Sequence, residues 1–185
     1  MKTDPIAHTP QAEVPVTPEA AADPMAAPSA FKKLLVALDR TNESETIVAR
    51  ALALAAAHQS QILFFYSLPL QAPEPNLLVA GSMGFGSSYT HEMLQRSQQW
   101  IDEERQQALS WLRGLSDRAI AQGLAAEFEC RNGEPGQQVC MLAKGWGADL
   151  ILLGRRGRTG LSEIVLGSVS NYVVHHAPCS VLVIQ

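Results

Sequence analysis

The residues best suited to bind a ligand form one stretch near the C-terminus, GRRGRTGLSEIVLGS, over residues 154–168. Gly154 and Gly157 come directly after the apolar segment 150–153. Glycine tolerates a positive φ and lets backbone N–H groups approach a ligand closely. Successive N–H groups form a concave surface that suits phosphate oxygens. The stretch therefore predicts a phosphate site.

A glycine and a serine end the same stretch. Gly167 interrupts the chain, and we expect Ser168 to cap a final helix that runs to about His176, ahead of Pro178. The serine hydroxyl and the first free amides of this helix would face the same pocket. A helix N-terminus carries about half a positive charge and favours an anion by about 0.3–1 kcal/mol.

Three arginines, Arg155, Arg156 and Arg158, lie between these glycines. Arg155 and Arg158 are candidates for charge-assisted contacts to a polyphosphate. Arginines on an exposed loop are commonly only solvated, and isolated glycines commonly only make turns. The combined spacing of glycines and serine at a strand-to-helix junction is what favours a binding site.

Alternating strands and helices must position this stretch. The predicted strands are KKLLVALD (32–39), QILFFYSL (61–68), AAEFECR (125–131), ADLILLG (148–154) and SVLVIQ (180–185). Helices are predicted from Ser44 to about His58, over a long amphipathic segment ending at Gly123, and from Pro135. This order predicts an open twisted five-stranded parallel sheet with helices on both faces.

Ligands of such sheets bind at the carboxyl ends of the strands. Asp39 ends the first predicted strand, so we expect it to lie near Gly154 and to face the ligand. The alternative role for Asp39 is structural, since an aspartate here can also satisfy the start of the following helix.

Composition separates a tail and an insert from the domain. Residues 1–30 are rich in Pro and Ala and predict a flexible tail, whereas the domain spans residues 31–185. Within it, residues 69–90 form an insert rich in proline, glycine and serine, which is either a mobile lid or disordered.

Charge and cysteine usage argue against several classes of protein. A net charge of −4 gives no basic field for nucleic acid or an anionic membrane surface. Three cysteines without a C-x-x-C pair suggest neither a disulfide scaffold nor a zinc module, and we expect them to be buried small residues. With no signal peptide or membrane span recognised, we expect a soluble, cytoplasmic protein that is not processed for export.

The order Gly154, two residues, Gly157, nine residues, Gly167, Ser168 resembles the nucleotide-binding signature of the ATP-binding branch of the universal stress protein family. The resemblance extends over residues 31–185, outside the insert. It implies the three-layer fold of the adenine-nucleotide α-hydrolase-like group, with ATP or another adenine nucleotide as ligand.

The resemblance also implies a role for each matching residue. Asp39 and Ala37 would lie near the adenosine, and Ser67 would meet adenine through backbone atoms. Ser67 departs from the family's usual aliphatic residue, which would make this edge of the pocket more polar. The residues expected to hold ribose and phosphates are Gly154, Gly157, Gly167, Ser168 and Val169.

No catalytic base is identified, so whether the protein is an enzyme stays open. Glu163, His175 and His176 have adequate explanations as helix-end residues, and a P-loop motif is absent from the sequence. We expect Mg²⁺ to arrive with the triphosphate, held by phosphate oxygens and by the Ser168 hydroxyl.

Three functions fit these observations. The first, implied by the resemblance, is a regulatory module of the stress response with slow or no ATP hydrolysis. The alternatives are an ATP-hydrolysing or nucleotidyl-transferring enzyme of the same fold group and a partner-binding protein that uses another adenine nucleotide. The apolar segment 180–185 further predicts a homodimer through this strand, unless the tail or the insert covers it.

Overall fold

A computed structural model describes residues 31–41, 44–68, 87–155 and 166–185, with side chains of the third range described from residue 95 onward. Within these ranges, five strands alternate with four helices. The strands are β1 (Lys33–Leu38), β2 (Gln61–Leu68), β3 (Ala126–Asn132), β4 (Leu150–Gly154) and β5 (Ser180–Ile184). The helices are α1 (Ser44–His58), α2 (Ser87–Ala121), α3 (Pro135–Trp146) and α4 (Ser168–His176).

The five strands form one sheet in the order β3-β2-β1-β4-β5, and every neighbouring pair is parallel. β1 occupies the centre because its side chains are apolar on both faces. Leu34, Leu35 and Val36 are each 0% exposed. The predicted parallel α/β sheet is therefore confirmed.

Helices cover both faces of the sheet, as predicted. Alternate side chains of β1 enter different cores: Leu34 and Val36 pack with α1 and α2, whereas Leu35 and Ala37 pack with α3 and α4. This division follows from the two-residue period of a strand, whose successive side chains point to opposite faces. The result is a three-layer arrangement with the sheet in the middle.

The ends of the helices follow the predicted signals, with one difference. α3 begins at Pro135, and Gly147 ends it in the left-handed conformation at φ 74°. α2 begins at Ser87, so residues 87–90 of the predicted insert are helical. The sequence SSYT at these positions is polar and typical of a loop, but its backbone continues the helix that follows. Residues 69–86 and the predicted tail, 1–30, lie outside the described residues.

The three cysteines differ in burial. Cys130 is buried, as predicted, whereas Cys140 and Cys179 are half-buried against the core on the α3 and α4 side. Burial raises the pKa of all three thiols above the ordinary value. None of the helices in the described ranges combines the length and the apolar character needed to cross a membrane.

Candidate functional site

The region beyond the carboxyl ends of β1 and β4, called the crevice below, is where the winding of the sheet reverses. The two strands are neighbours in the sheet, but the helices that follow them pack on opposite faces, α1 on one and α4 on the other. The chain therefore continues from the two strands to opposite faces of the sheet. In open α/β sheets this reversal of winding is the usual place for a ligand.

Strand register brings three predicted site residues to one level. Ala37 pairs with Phe65 on β2 and with Leu153 on β4. Two positions farther along each strand, Asp39, Ser67 and Arg155 are therefore level with one another. Because neighbouring strands lie about 4.8 Å apart, the three backbones span roughly 10 Å, a width that suits a nucleoside.

Asp39 uses one carboxylate oxygen to order the turn before α1. Its Oδ1 accepts hydrogen bonds from the Thr41 amide at 3.1 Å, the Thr41 hydroxyl at 2.6 Å and the Ser44 hydroxyl at 3.3 Å. Its Oδ2 is buried and has no hydrogen-bond partner among the described residues. A buried acceptor without a partner costs about 1–3 kcal/mol, which a ligand donor would offset. Oδ1 therefore has the structural role, whereas Oδ2 has no protein partner in the described part of the chain.

Hydrogen bonds tie the end of β4 to the start of α4. The Arg155 amide donates to the Ile184 carbonyl at 2.8 Å, and the Gly167 amide donates to the Arg155 carbonyl at 2.9 Å. The Ser170 hydroxyl lies 2.8 Å from the Arg155 carbonyl and 3.0 Å from that of Gly167, so it can donate to either. Residues 155 and 167 are therefore held together by hydrogen bonds at the carboxyl end of β4.

Sequence reasoning missed Ser170, which is 2% exposed. The sequence offered one indication of its role. Ser170 is a small polar residue in the first turn of a helix that follows a glycine, and it lies on the side of the helix that faces the core. Such a residue is easily taken for an ordinary helix position, because the carbonyl it contacts belongs to Arg155, fifteen residues earlier.

The start of α4 corrects one prediction. Gly167, rather than Ser168, is the N-cap, and no side chain caps the helix. Ser168 is the first helical residue and is exposed, so its hydroxyl is not used for capping. Val169 packs partly against the core on this face of the sheet. The first amides of an uncapped helix have no acceptor within the helix, which makes this end suitable for an anion.

Of the remaining predicted residues, the structure describes Ser67 and Ala37. Ser67 donates its hydroxyl to the Gly133 carbonyl at 2.7 Å, so its contact with a base would fall to backbone atoms. Ala37 lies in β1, two residues before Asp39, and belongs to the core on the α3 and α4 side of the sheet. Gly157, Arg156, Arg158 and Glu163 lie outside the described residues.

The two histidines nominated as alternative catalytic groups lie away from the crevice. His175 and His176 direct Nδ1 at the carbonyls of Asn171 and Tyr172, each at 2.8 Å. Because a carbonyl can only accept, each Nδ1 carries the proton. Both residues are in the last turn of α4, about 12 Å along the helix from Ser168. The described part of the chain contains no group of three or more His, Cys, Asp or Glu side chains that could hold a metal ion.

Comparison with known proteins agrees with this architecture. The sequence model of the universal stress protein family matches residues 30–185. Universal stress protein Sll1388 of Synechocystis is 36% identical over 159 residues, covering 84% of this chain and 98% of the relative.

Solved structures share the fold. Universal stress protein UspA from Lactobacillus plantarum superposes with a TM-score of 0.66 at 24% identity, covering 84% of this chain and 98% of that chain. A universal stress protein in complex with cAMP superposes with a TM-score of 0.53 at 25% identity, covering 85% and 98%. The chain belongs to the universal stress protein family.

Proposed function

We propose that this protein binds an adenine nucleotide, with ATP as the first candidate, in the crevice between the carboxyl ends of β1 and β4. The observation that carries the proposal is the buried Oδ2 of Asp39, which lacks a partner within the described ranges. A ribose hydroxyl or the adenine amino group would supply the missing donor. The similar protein solved with cAMP supports an adenine nucleotide as the class of ligand.

The phosphates would extend from this point toward α4. The uncapped amides at Ser168 and Val169 would suit an anion, and the hydrogen bond from the Gly167 amide to the Arg155 carbonyl holds the start of α4 next to the end of β4. From the sequence motif, Gly154 and Gly157 give the backbone room and Arg155 and Arg158 contribute charge. Mg²⁺ bound to the triphosphate would neutralise charge, and the exposed Ser168 hydroxyl is the group we assign to it.

The proposed role is regulatory: occupancy by the nucleotide, rather than its turnover, would be the signal in a stress response. Hydrolysis requires a group that orients water in line with the γ-phosphate. The histidines considered for such a role lie at the far end of α4, with Nδ1 bonded to backbone carbonyls. We therefore expect slow or no ATP hydrolysis.

We extend the proposal to a homodimer formed through β5. The two edges of the sheet differ in charge. β3 carries Glu127, Glu129 and Arg131 on one face, whereas β5 carries no charged residue and leaves Leu182 41% exposed. Inward charges protect an edge strand from pairing, so β5 is the edge suited to meet a second copy.

The ligand can be identified directly from the protein as purified. The protein is denatured, and the released small molecules are analysed by mass, followed by calorimetric titration of nucleotide-free protein with ATP, cAMP and GTP. We expect adenine nucleotides to bind and GTP to bind far more weakly. Failure of all three to bind at millimolar concentration would reject the proposal.

Turnover is measured separately, as phosphate or pyrophosphate release from saturating ATP and Mg²⁺. We expect release too slow to deplete bound ATP over hours. Steady release that is lost in a Ser168→Ala variant with unchanged ATP affinity would instead favour the hydrolysing or nucleotidyl-transferring enzyme.

A further inference from the structure

Arg40, the residue after Asp39, adopts a conformation that side chains rarely take. Its φ is 59°, in the left-handed region. A residue with a Cβ is strained there, and such conformations persist where surrounding contacts fix them. The turn that carries Asp39 is therefore held in place by something other than local preference.

The contacts that fix Arg40 come from α2. Its Nη1 lies 2.6 Å from Oε1 of Glu104, and its Nη2 donates to Oε1 of Gln107 at 3.4 Å. The Tyr66 hydroxyl, near the end of β2, donates to the same Glu104 oxygen at 3.3 Å. One carboxylate thus joins the end of β1, the end of β2 and the long helix, all at the edge of the sheet where the crevice lies.

The described side chains of this part of α2 do not reach the core. Among its described side chains, none before Ala108 is buried, whereas Ala108, Leu112 and Leu115 pack in the core. Glu104 lies just beyond that packed portion. With side chains 26% and 17% exposed, the Arg40–Glu104 pair is shielded enough to be stronger than a fully solvated pair.

We propose that Arg40 and Glu104 are positioning residues for the Asp39 carboxylate. Their ion pair holds the 39–41 turn in its strained conformation, while Thr41 and Ser44 hold Oδ1 from the other side. Oδ2 is then held in position before the ligand binds. The inference rests on the proposed nucleotide binding and adds to it two residues that the sequence motif does not contain.

A simpler electrostatic account makes the opposite prediction for one variant. If Arg40 only supplied positive charge to attract phosphates, Glu104 would oppose binding, and Glu104→Gln would tighten it. If the pair positions Asp39, Glu104→Gln releases the turn and weakens binding. The sign of the change therefore distinguishes the two accounts.

The test is calorimetric titration of ATP into the full-length wild type, Glu104→Gln, Arg40→Gln and the double variant. We expect each single variant to weaken binding roughly five- to tenfold, and the double variant to weaken it no more than the singles because the two residues act as one unit. Arg40→Lys keeps the charge that pairs with Glu104 and should restore most of the affinity.

Arg118→Gln is the matched control. It breaks a different inter-element ion pair of α2, between Arg118 Nη1 and Glu45 Oε2 at 3.0 Å, and leaves Arg40 and Glu104 in place. We expect unchanged ATP affinity, and thermal unfolding confirms that each variant is folded.

Two failures can be told apart. Wild-type protein that binds no adenine nucleotide would overturn the proposed function, and this inference with it. Wild-type protein that binds ATP, together with folded Glu104→Gln that binds equally well or more tightly, would overturn the positioning role alone.

Discussion

One carboxylate oxygen of Asp39 orders the turn before α1, and we propose that the other binds the ligand. A single substitution separates these two roles. In Asp39→Asn, the remaining oxygen can still accept from Thr41 and Ser44, while an amide replaces Oδ2. We expect at least tenfold weaker ATP binding, because a donor would face the ligand's donor, with little change in thermal stability. Calorimetry and thermal unfolding measure the two effects.

Asp39→Ala is the companion variant, since it removes both oxygens. It should lose binding and also about 1–2 kcal/mol of stability, the usual cost of removing the side chain that orders a helix start. Asp117→Asn, at an exposed position of α2, serves as the control for a change of one charge. Full ATP affinity in Asp39→Asn would remove this residue from the site.

We expect Cys130 to make the free energy of unfolding depend on pH under alkaline conditions. Burial raises the pKa of its thiol in the folded protein, so the unfolded chain loses the thiol proton first as pH rises. The folded state is therefore destabilised above the ordinary thiol pKa, near pH 9. Denaturant titrations at pH 7.5 and 9.5 should show a larger loss of unfolding free energy in the wild type than in Cys130→Ala. Equal losses would contradict this assignment.

The sequence predicted only part of the candidate site at the level of individual residues. Asp39 and Gly154 could be placed together because each ends an apolar strand at the same edge of the sheet. The cap at Gly167 differs by one residue from the prediction at Ser168, since capping depends on local backbone angles that residue type alone does not fix. Arg40 and Glu104 are 64 residues apart and meet only through tertiary packing, so no sequence pattern indicated their contact.

At the scale of elements, the close approach of α3 to α4 depends on a glycine. A Cβ on Gly136 would lie 2.8 Å from Cδ1 of Tyr172 and 3.0 Å from its Cβ. We expect Gly136→Ala to push the helices apart and to cost about 1–3 kcal/mol of stability. Because α4 presents its N-terminus to the crevice, ATP affinity should fall as well.

Gly145→Ala, in the same helix, is the matched control. Nothing lies within 4 Å of a Cβ at Gly145, so the substitution should stabilise α3 by about 0.5–1 kcal/mol through helix propensity. Denaturant titration of the two variants gives opposite signs if Tyr172 is the cause. Equal effects of both substitutions would contradict the packing argument.

The elements themselves were well predicted where an apolar segment ends at turn residues. β2 occupies residues 61–68 at both predicted ends, and α3 begins at Pro135 as expected. The start of α2 was placed too late because the polar residues 87–90 carry no apolar period of their own. Their helical state follows from continuity with the packed portion of the helix, which local sequence does not reveal.

At the scale of the whole molecule, the contrast between the two sheet edges predicts how copies of the chain associate. In an antiparallel pairing of β5 with β5 of a second copy, side chains near the two-fold axis would face their own counterparts. Leu182, exposed at 41% on the face shared with α1 and α2, would then be covered. Lysine at this position would place like charges opposite each other, which disfavours strand pairing.

We therefore expect wild-type protein to sediment as a dimer and Leu182→Lys as a monomer at the same concentration. Ile120→Lys is the control, because Ile120 is still more exposed, at 54%, but lies on α2 away from β5. A dimer that survives Leu182→Lys but is lost when residues 1–30 are removed would assign association to the N-terminal segment instead. The proposed site is formed by β1, β2, β4 and α4 of one copy, so the monomeric variant should bind ATP as tightly as the wild type. Calorimetric titration of that variant measures this affinity.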